Sequence, residues 1–240
     1  MPNRSVPSGE NMNDQPKLTP RLLCAAAMIR EGAFVADIGT DHAYLPIYLC
    51  KNGIASGAVA SDINKGPVER AKENIEKYGV ADKIEVTRAD GLCGIEKYSP
   101  SDVMILGMGG ELIARIISDA PWTKNESIRL CLQPMTHAEI LRRFLTENGY
   151  SIINEALAKE EKIYQIILAS YTGKRETLTA PELYLGKINL TQKADGLAEL
   201  AQGYVSVLQK RALGKAAAGE DNGEELKLIN EINTAIGESL

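Results

Sequence analysis

Residues 33–53 read AFVADIGTDHAYLPIYLCKNG, and this stretch decides the fold. Its first part, Ala33 to Ile38, is a short apolar run broken only by Asp37. It ends at Gly39, where the backbone can turn tightly. Buried strands of a parallel sheet look like this, because they are apolar on both faces. The second part, Ala43 to Asn52, is helical in character, with Pro46 in its first turn and Gly53 as the stop. Strand, glycine turn and helix together make one βα unit.

The unit repeats downstream. Strands are expected at 57–63, 83–90, 102–110 and 127–134, with helices at 65–78, 111–118 and 137–148. A further helix, 18–30, precedes the first strand, on the spacing of Leu22, Leu23, Ala26 and Ile29. Two more β-rich runs, YSIINEALAKE and KIYQIILASY, meet at a short turn around Glu160 and Glu161. That turn leaves no room for a helical crossover, so the two runs pair antiparallel. The expected class is α/β: a mostly parallel sheet covered on both faces and ending in an antiparallel hairpin.

Both ends differ from this middle. Residues 1–17 are polar and read as a flexible tail. The sheet domain spans 18–173, and a polar break near Lys174 opens a third region, 174–240. There Leu197, Leu200, Tyr204 and Val207, then Ile229, Ile232 and Ile236, step by three and four around the acidic linker GKAAAGEDNGEE. A small helical domain follows, a helix hairpin with a coiled-coil-like seam.

Bulk properties narrow the function. The chain has 240 residues and a net charge of -5, so any nucleic-acid contact must come from local basic patches. The four cysteines form no CxxC pair, which predicts free thiols and no metal site. No apolar run approaches the ~18 residues of a membrane span, and no signal peptide is present, so a cytoplasmic protein is expected.

Ligands of an open parallel sheet bind beyond the carboxyl ends of its strands. At the first such end a dinucleotide fingerprint, GxGxxG, would need glycine where Asp41 and Tyr44 stand. A pyrophosphate would be repelled by Asp41, whereas a cation is welcomed by Asp37 and Asp41. S-adenosylmethionine, with its sulfonium and ammonium groups, is such a ligand. Asp41 also fits as a helix N-cap residue. Asp62 ends the second strand, 23 positions after Gly39, where a carboxylate can take both ribose hydroxyls, with Ile63 against the adenine. Asp90 and Gly91 end the third strand, suited to the adenine amino group or to an ordinary turn. Gly107, Met108, Gly109 and Gly110 end the fourth, where bare backbone lets a flat base come close. Gln133 and Pro134 end the fifth, and the Gln133 amide could meet a base edge.

The set DIGTDHAYLP, SDIN, ADG, LGMGG and QPM resembles the bacterial tRNA (adenine(22)-N1)-methyltransferase family, from about Leu18 to the chain's end. The resemblance implies a class I (Rossmann-like) methyltransferase sheet with a C-terminal helical domain that helps grip tRNA. It implies S-adenosyl-L-methionine as cofactor. Asp37, Gly39, Asp41 and His42 would line its methionine part, Asp62 would take the ribose and Asp90 the adenine, and Thr40, Ile63 and Gly91 beside them complete the candidate cofactor set. Gly107, Met108, Gly109 and Gly110 would floor the reaction site, with Asp41 and His42 orienting donor or base. Lys17, Arg21, Arg115, Gln133, Lys193, Lys210 and Arg211 are the candidates for touching RNA, although each exposed base fits a solvated helix face equally. The expected partner is tRNA, with no membrane and no metal, and the chain acting as a monomer or weak dimer. A small-molecule methyltransferase and a non-catalytic donor-binding module are the rival readings.

Overall fold

The computed structural model describes residues 15–239. Most of the expected flexible tail, residues 1–14, lies outside the described residues. In chain order the elements are α1 (Pro20–Ala26), β1 (Ala33–Ile38), α2 (Tyr44–Lys51), β2 (Ala55–Asp62), α3 (Lys65–Lys77), β3 (Ile84–Arg88), β4 (Asp102–Met108), α4 (Gly110–Ser118), β5 (Arg129–Pro134), α5 (Ala138–Glu147), β6 (Tyr150–Lys159), β7 (Ile163–Tyr171), α6 (Ala180–Leu185), α7 (Lys187–Gln192), α8 (Leu197–Ala217) and α9 (Gly223–Ser239).

One seven-stranded sheet runs β3-β2-β1-β4-β5-β7-β6. The first five strands pair parallel and β7 pairs antiparallel with both β5 and β6. This is the mostly parallel, Rossmann-like sheet with a terminal antiparallel hairpin that the sequence led us to expect. Alternation along β1 divides the core: Val35 packs with Leu45, Ile47 and Ile75 on one face, while Ala36 and Ile38 pack with Ile113, Ile117 and Leu141 on the other. Each fully buried Ile or Leu contributes roughly 1.5–3 kcal/mol through removal from water. The order reverses at β1 and β4, so the crevice between their carboxyl ends is the switch point.

Two expectations about helices need correction. Helix α1 stops at Ala26 rather than Arg30, because Arg30 is drawn onto the head of β4: its backbone N–H and Nε both donate to the Asp102 carboxylate, at 3.1 Å each. The C-terminal region holds four helices among the described residues, not two. Helix α6 opens on a capping box in which Thr179 and Glu182 exchange hydrogen bonds. Helices α8 and α9 join through a short turn, but their apolar cluster also takes in Leu185 of α6 and Leu157 and Ile163 of the β6–β7 hairpin.

A buried ion pair ties this region to the sheet. Arg142 of α5 and Glu155 of β6 have fully buried side chains 2.7 Å apart. Arg142 also donates to the carbonyl of Leu183 and to Gln165 Oε1, both at 2.8 Å. The second Glu155 oxygen accepts the Ile188 N–H at 2.8 Å. Gly186 must be glycine, since it adopts a φ of +93° and a Cβ there would press on the Glu155 carboxylate. No helix of the described residues is long and apolar enough to cross a membrane, and they contain no cluster of potential metal ligands. All four cysteines are free, and burial holds the Cys50 thiol up at about 11.

Candidate active site

The topology puts three carboxylates on one edge of the sheet. Asp37 stands one residue before the end of β1, Asp62 closes β2, and Asp90 follows β3 by two residues. These strands are neighbours, so all three residues lie at the same carboxyl end. The loops are tied together there. Gly39 and Thr40 donate their N–H groups to the Ser61 carbonyl at 2.8 and 2.9 Å, and Ala89 donates to the Asp62 carbonyl at 3.1 Å. Asp62 caps its own turn by accepting from Asn64 N–H at 2.7 Å. Ile63 beside it is 49% exposed, an apolar surface facing solvent at the crevice edge. Gly91 has a φ of +54° and rests on Ile116 of α4.

Asp37 is the unusual member. It is buried, bonded to the Thr40 hydroxyl, and burial pushes its carboxyl up to about 6 against that bond. Among the described residues no basic side chain offsets it. A buried acid without a cation is costly, and a positively charged ligand in the crevice would remove the cost. The Ser61 hydroxyl, also buried, has no partner among the described residues. Both facts fit S-adenosylmethionine at this edge. Gly39 has a φ of +76°, and its missing Cβ leaves space that the Met108 methyl fills. Met108, flexible and unbranched, therefore lies across the turn where the donor's methionine would run.

Asp41 and His42 sit at the open rim. Asp41 is not the cap of α2: that place belongs to Ala43, in the left-handed region, whose N–H is held by Thr40 Oγ1 at 3.1 Å. Asp41 instead pairs with Arg70 of α3, a hydrogen bond that holds its carboxyl below the usual range, and with His42 Nε2 at 3.3 Å. The His42 ring stacks on Tyr44 with centroids 5.1 Å apart.

On the other side of β1 lies the glycine rim. Gly107 adopts a φ of +78° and lies under the Arg21 guanidinium. Gly109 caps α4 with an ordinary backbone, and a Cβ added there would meet the Thr136 hydroxyl at 3.2 Å. Gly110 closes the rim. It is buried, and a Cβ there would collide with the His137 carbonyl, so packing of two turns demands this glycine. Gln133 differs from the expectation of an amide open to a base. It is completely buried; its oxygen accepts from Arg21 and Gly107, and its NH2 donates to the Pro134 carbonyl and contacts Met135 Sδ. Nothing of its amide is left for a base.

The other basic candidates are spread out. Lys17 precedes α1, Arg115 is exposed on α4, and Lys193 caps α7 in a left-handed conformation. Lys210 is exposed on α8. Arg211 enters a cleft of about 580 Å³ between the rim and α8, lined also by Met135, His137, Tyr164, Tyr184 and Tyr204. Sequence reading missed this cleft, and it missed Arg70. The aromatic residues lie far apart along the chain, and Arg70 occupies an ordinary charged helix position.

Comparison with known proteins bears on this site. Residues 18–167 match the family model described as "Methyltransferase domain". The tRNA (adenine(22)-N(1))-methyltransferase of Bacillus subtilis (strain 168) is 42% identical over 161 residues, 67% of this chain and 67% of that protein. The crystal structure of the B. subtilis m1A22 tRNA methyltransferase superposes with a TM-score of 0.80 at 33% identity, covering 93% of this chain and 98% of that one. A Streptococcus pneumoniae structure in complex with S-adenosyl-L-methionine superposes at 0.79 with 31% identity, covering 91% and 99%.

Proposed function

The chain belongs to the tRNA (adenine(22)-N1)-methyltransferase family, within the wider methyltransferase-domain family, and from that premise we propose that it methylates N1 of adenine 22 in tRNA. The observation that carries the reading is the buried Asp37, which has no cationic partner among the described residues, on a strand edge shared with Asp62 and Asp90, next to the glycine rim of β4.

S-adenosylmethionine supplies a methyl on cationic sulfur: the N1 lone pair forms the new C–N bond, the S–CH3 electrons stay on sulfur, and the adenine takes the positive charge. N1 carries no proton, so no side chain has to remove one. The chain's own work is positioning and charge. Asp37, with Gly39, Thr40 and the Asp41–His42 pair, faces the cationic methionine end. Asp62 takes the ribose hydroxyls, Ile63 covers the adenine, and Asp90 and Gly91 bound its edge. Gly107, Met108 and Gly109 form the wall at which the acceptor meets the methyl.

N1 is engaged in Watson–Crick pairing within a duplex, so the target must be unstacked first. Lys17, Arg21, Arg115, Lys193, Lys210 and Arg211 hold the RNA, the last three reaching it from the C-terminal helical domain, 174–240. The protein acts in the cytoplasm as a monomer or weak dimer.

Mass mapping of nucleosides after incubating tRNA with the protein and labelled donor is the direct test. One added methyl on adenine 22 is expected. Label at another nucleotide would reassign the substrate, and label on no RNA would return the choice to a small molecule.

A further inference from the structure

Arg21 is held on three sides. Its backbone N–H donates to Glu160 Oε1 at 2.7 Å, its Nη1 donates to Gln133 Oε1 at 2.6 Å, and its guanidinium carbon lies 5.4 Å from the centre of the Tyr164 ring. Gln133 cannot turn over to release it. The same oxygen accepts the Gly107 N–H at 3.1 Å, and the NH2 donates to the Pro134 carbonyl at 2.9 Å. A flipped amide would set donors against donors. Gln133 therefore fixes Arg21 and the first glycine of the β4 rim as one unit.

The guanidinium is under-used. Its Nε–H is buried with no partner, and Nη1 would lie 3.7 Å from a Cβ at Gly107. A guanidinium has five donors in a fixed plane, and Gln133 satisfies one. Among the described residues no hydrogen bond takes up the others, and the Nη1 end of the fork lies beside Gly107 of the glycine rim. The acceptor's charge follows from the reaction. Methyl transfer leaves a positive charge on the adenine, and a guanidinium hydrogen-bonded to that ring would oppose it. A phosphate oxygen has the opposite charge, and its geometry suits two parallel N–H bonds.

We propose that Arg21, oriented by Gln133, binds the phosphate of the target nucleotide and so sets the depth at which its base enters the glycine rim. Arg21 is the contact; Gln133 is a positioning residue acting through it. This rests on the RNA-methylating reading of the site.

The test compares Arg21→Ala, Arg21→Lys and Gln133→Leu with the parent chain, using tRNA transcript and S-adenosylmethionine. For Arg21→Ala the slope of log tRNA affinity against log salt should fall in magnitude by about one, as for one lost phosphate contact. Donor affinity by calorimetry should stay within about twofold. Arg21→Lys should restore the slope, since the charge remains, but not kcat, since the fork is lost. Gln133→Leu should lower kcat with the slope unchanged, and thermal melts show which variants stay folded. An unchanged slope in Arg21→Ala, or full activity in Gln133→Leu, overturns the assignment. If instead the parent chain methylates no tRNA, the functional reading fails and the Arg21 contact with it.

Discussion

In the donor-facing role proposed for it, Asp37 sets a trade between stability and binding. Its carboxyl is raised from 3.8 to about 6 by burial, so the folded, donor-free protein keeps the proton that the unfolded chain gives up. Stability is therefore full below pH ~4, falls as pH rises through this window, and levels off above ~6, a loss on the order of 3 kcal/mol. Asp37→Asn should remove most of that loss and raise the melting temperature at pH 7.5, while abolishing donor binding. Melting curves from pH 4 to 8 with calorimetry at neutral pH would decide it. A variant less stable than the parent at pH 7.5 would show that Asp37 is compensated already. Donor affinity of the parent should also weaken as pH drops below ~6, because the protonated carboxyl loses its attraction for a cation.

Among elements, the C-terminal helices depend on α5 and β6 through Arg142 and Glu155. Arg142→Met leaves Glu155 charged, buried and unpaired, at a cost of roughly 3–5 kcal/mol. Breaking the exposed Lys159–Glu199 pair, which water and salt screen, should cost far less. Denaturant titration of both variants checks the contrast, and similar losses would mean that the buried pair anchors nothing. The elements also show what was legible in sequence. The βα units were readable because Ala33–Ile38 and its repeats are apolar runs punctuated by glycine. The three strand-end aspartates and Gly39 were readable because they occupy fixed places on that pattern. The early end of α1, the reason for Gly110 and the role of Gln133 were not, since each depends on a partner far away in the chain: Asp102, His137 and Arg21. Helices α6 and α7 were hidden by their length, six residues each, below what periodicity can detect.

For the whole molecule, the place of a truncation decides what it tests. Ending the chain at Lys174 removes Leu183 and Ile188, which satisfy Arg142 and Glu155, and should cost thermal stability. Ending it at Asp195 keeps α6 and α7 while removing α8 and α9. That shorter protein should bind donor like the parent but hold tRNA more weakly, by about tenfold or more at physiological salt, from loss of Lys210 and Arg211. Filter binding and calorimetry on the two truncations separate the outcomes, and unchanged tRNA affinity would leave α8 and α9 as a cap alone.

The strand order has one more consequence. The three aspartates proposed to meet the methyl donor hang from β3, β2 and β1, whereas the cleft lined by Met135, His137, Tyr164 and Tyr204 hangs from β5, β7 and the helices beyond them. Strand β4 is the hinge of that division of labour. Grafting a different acceptor-side half onto β4 would redirect which molecule receives the methyl without rebuilding the machinery that delivers it.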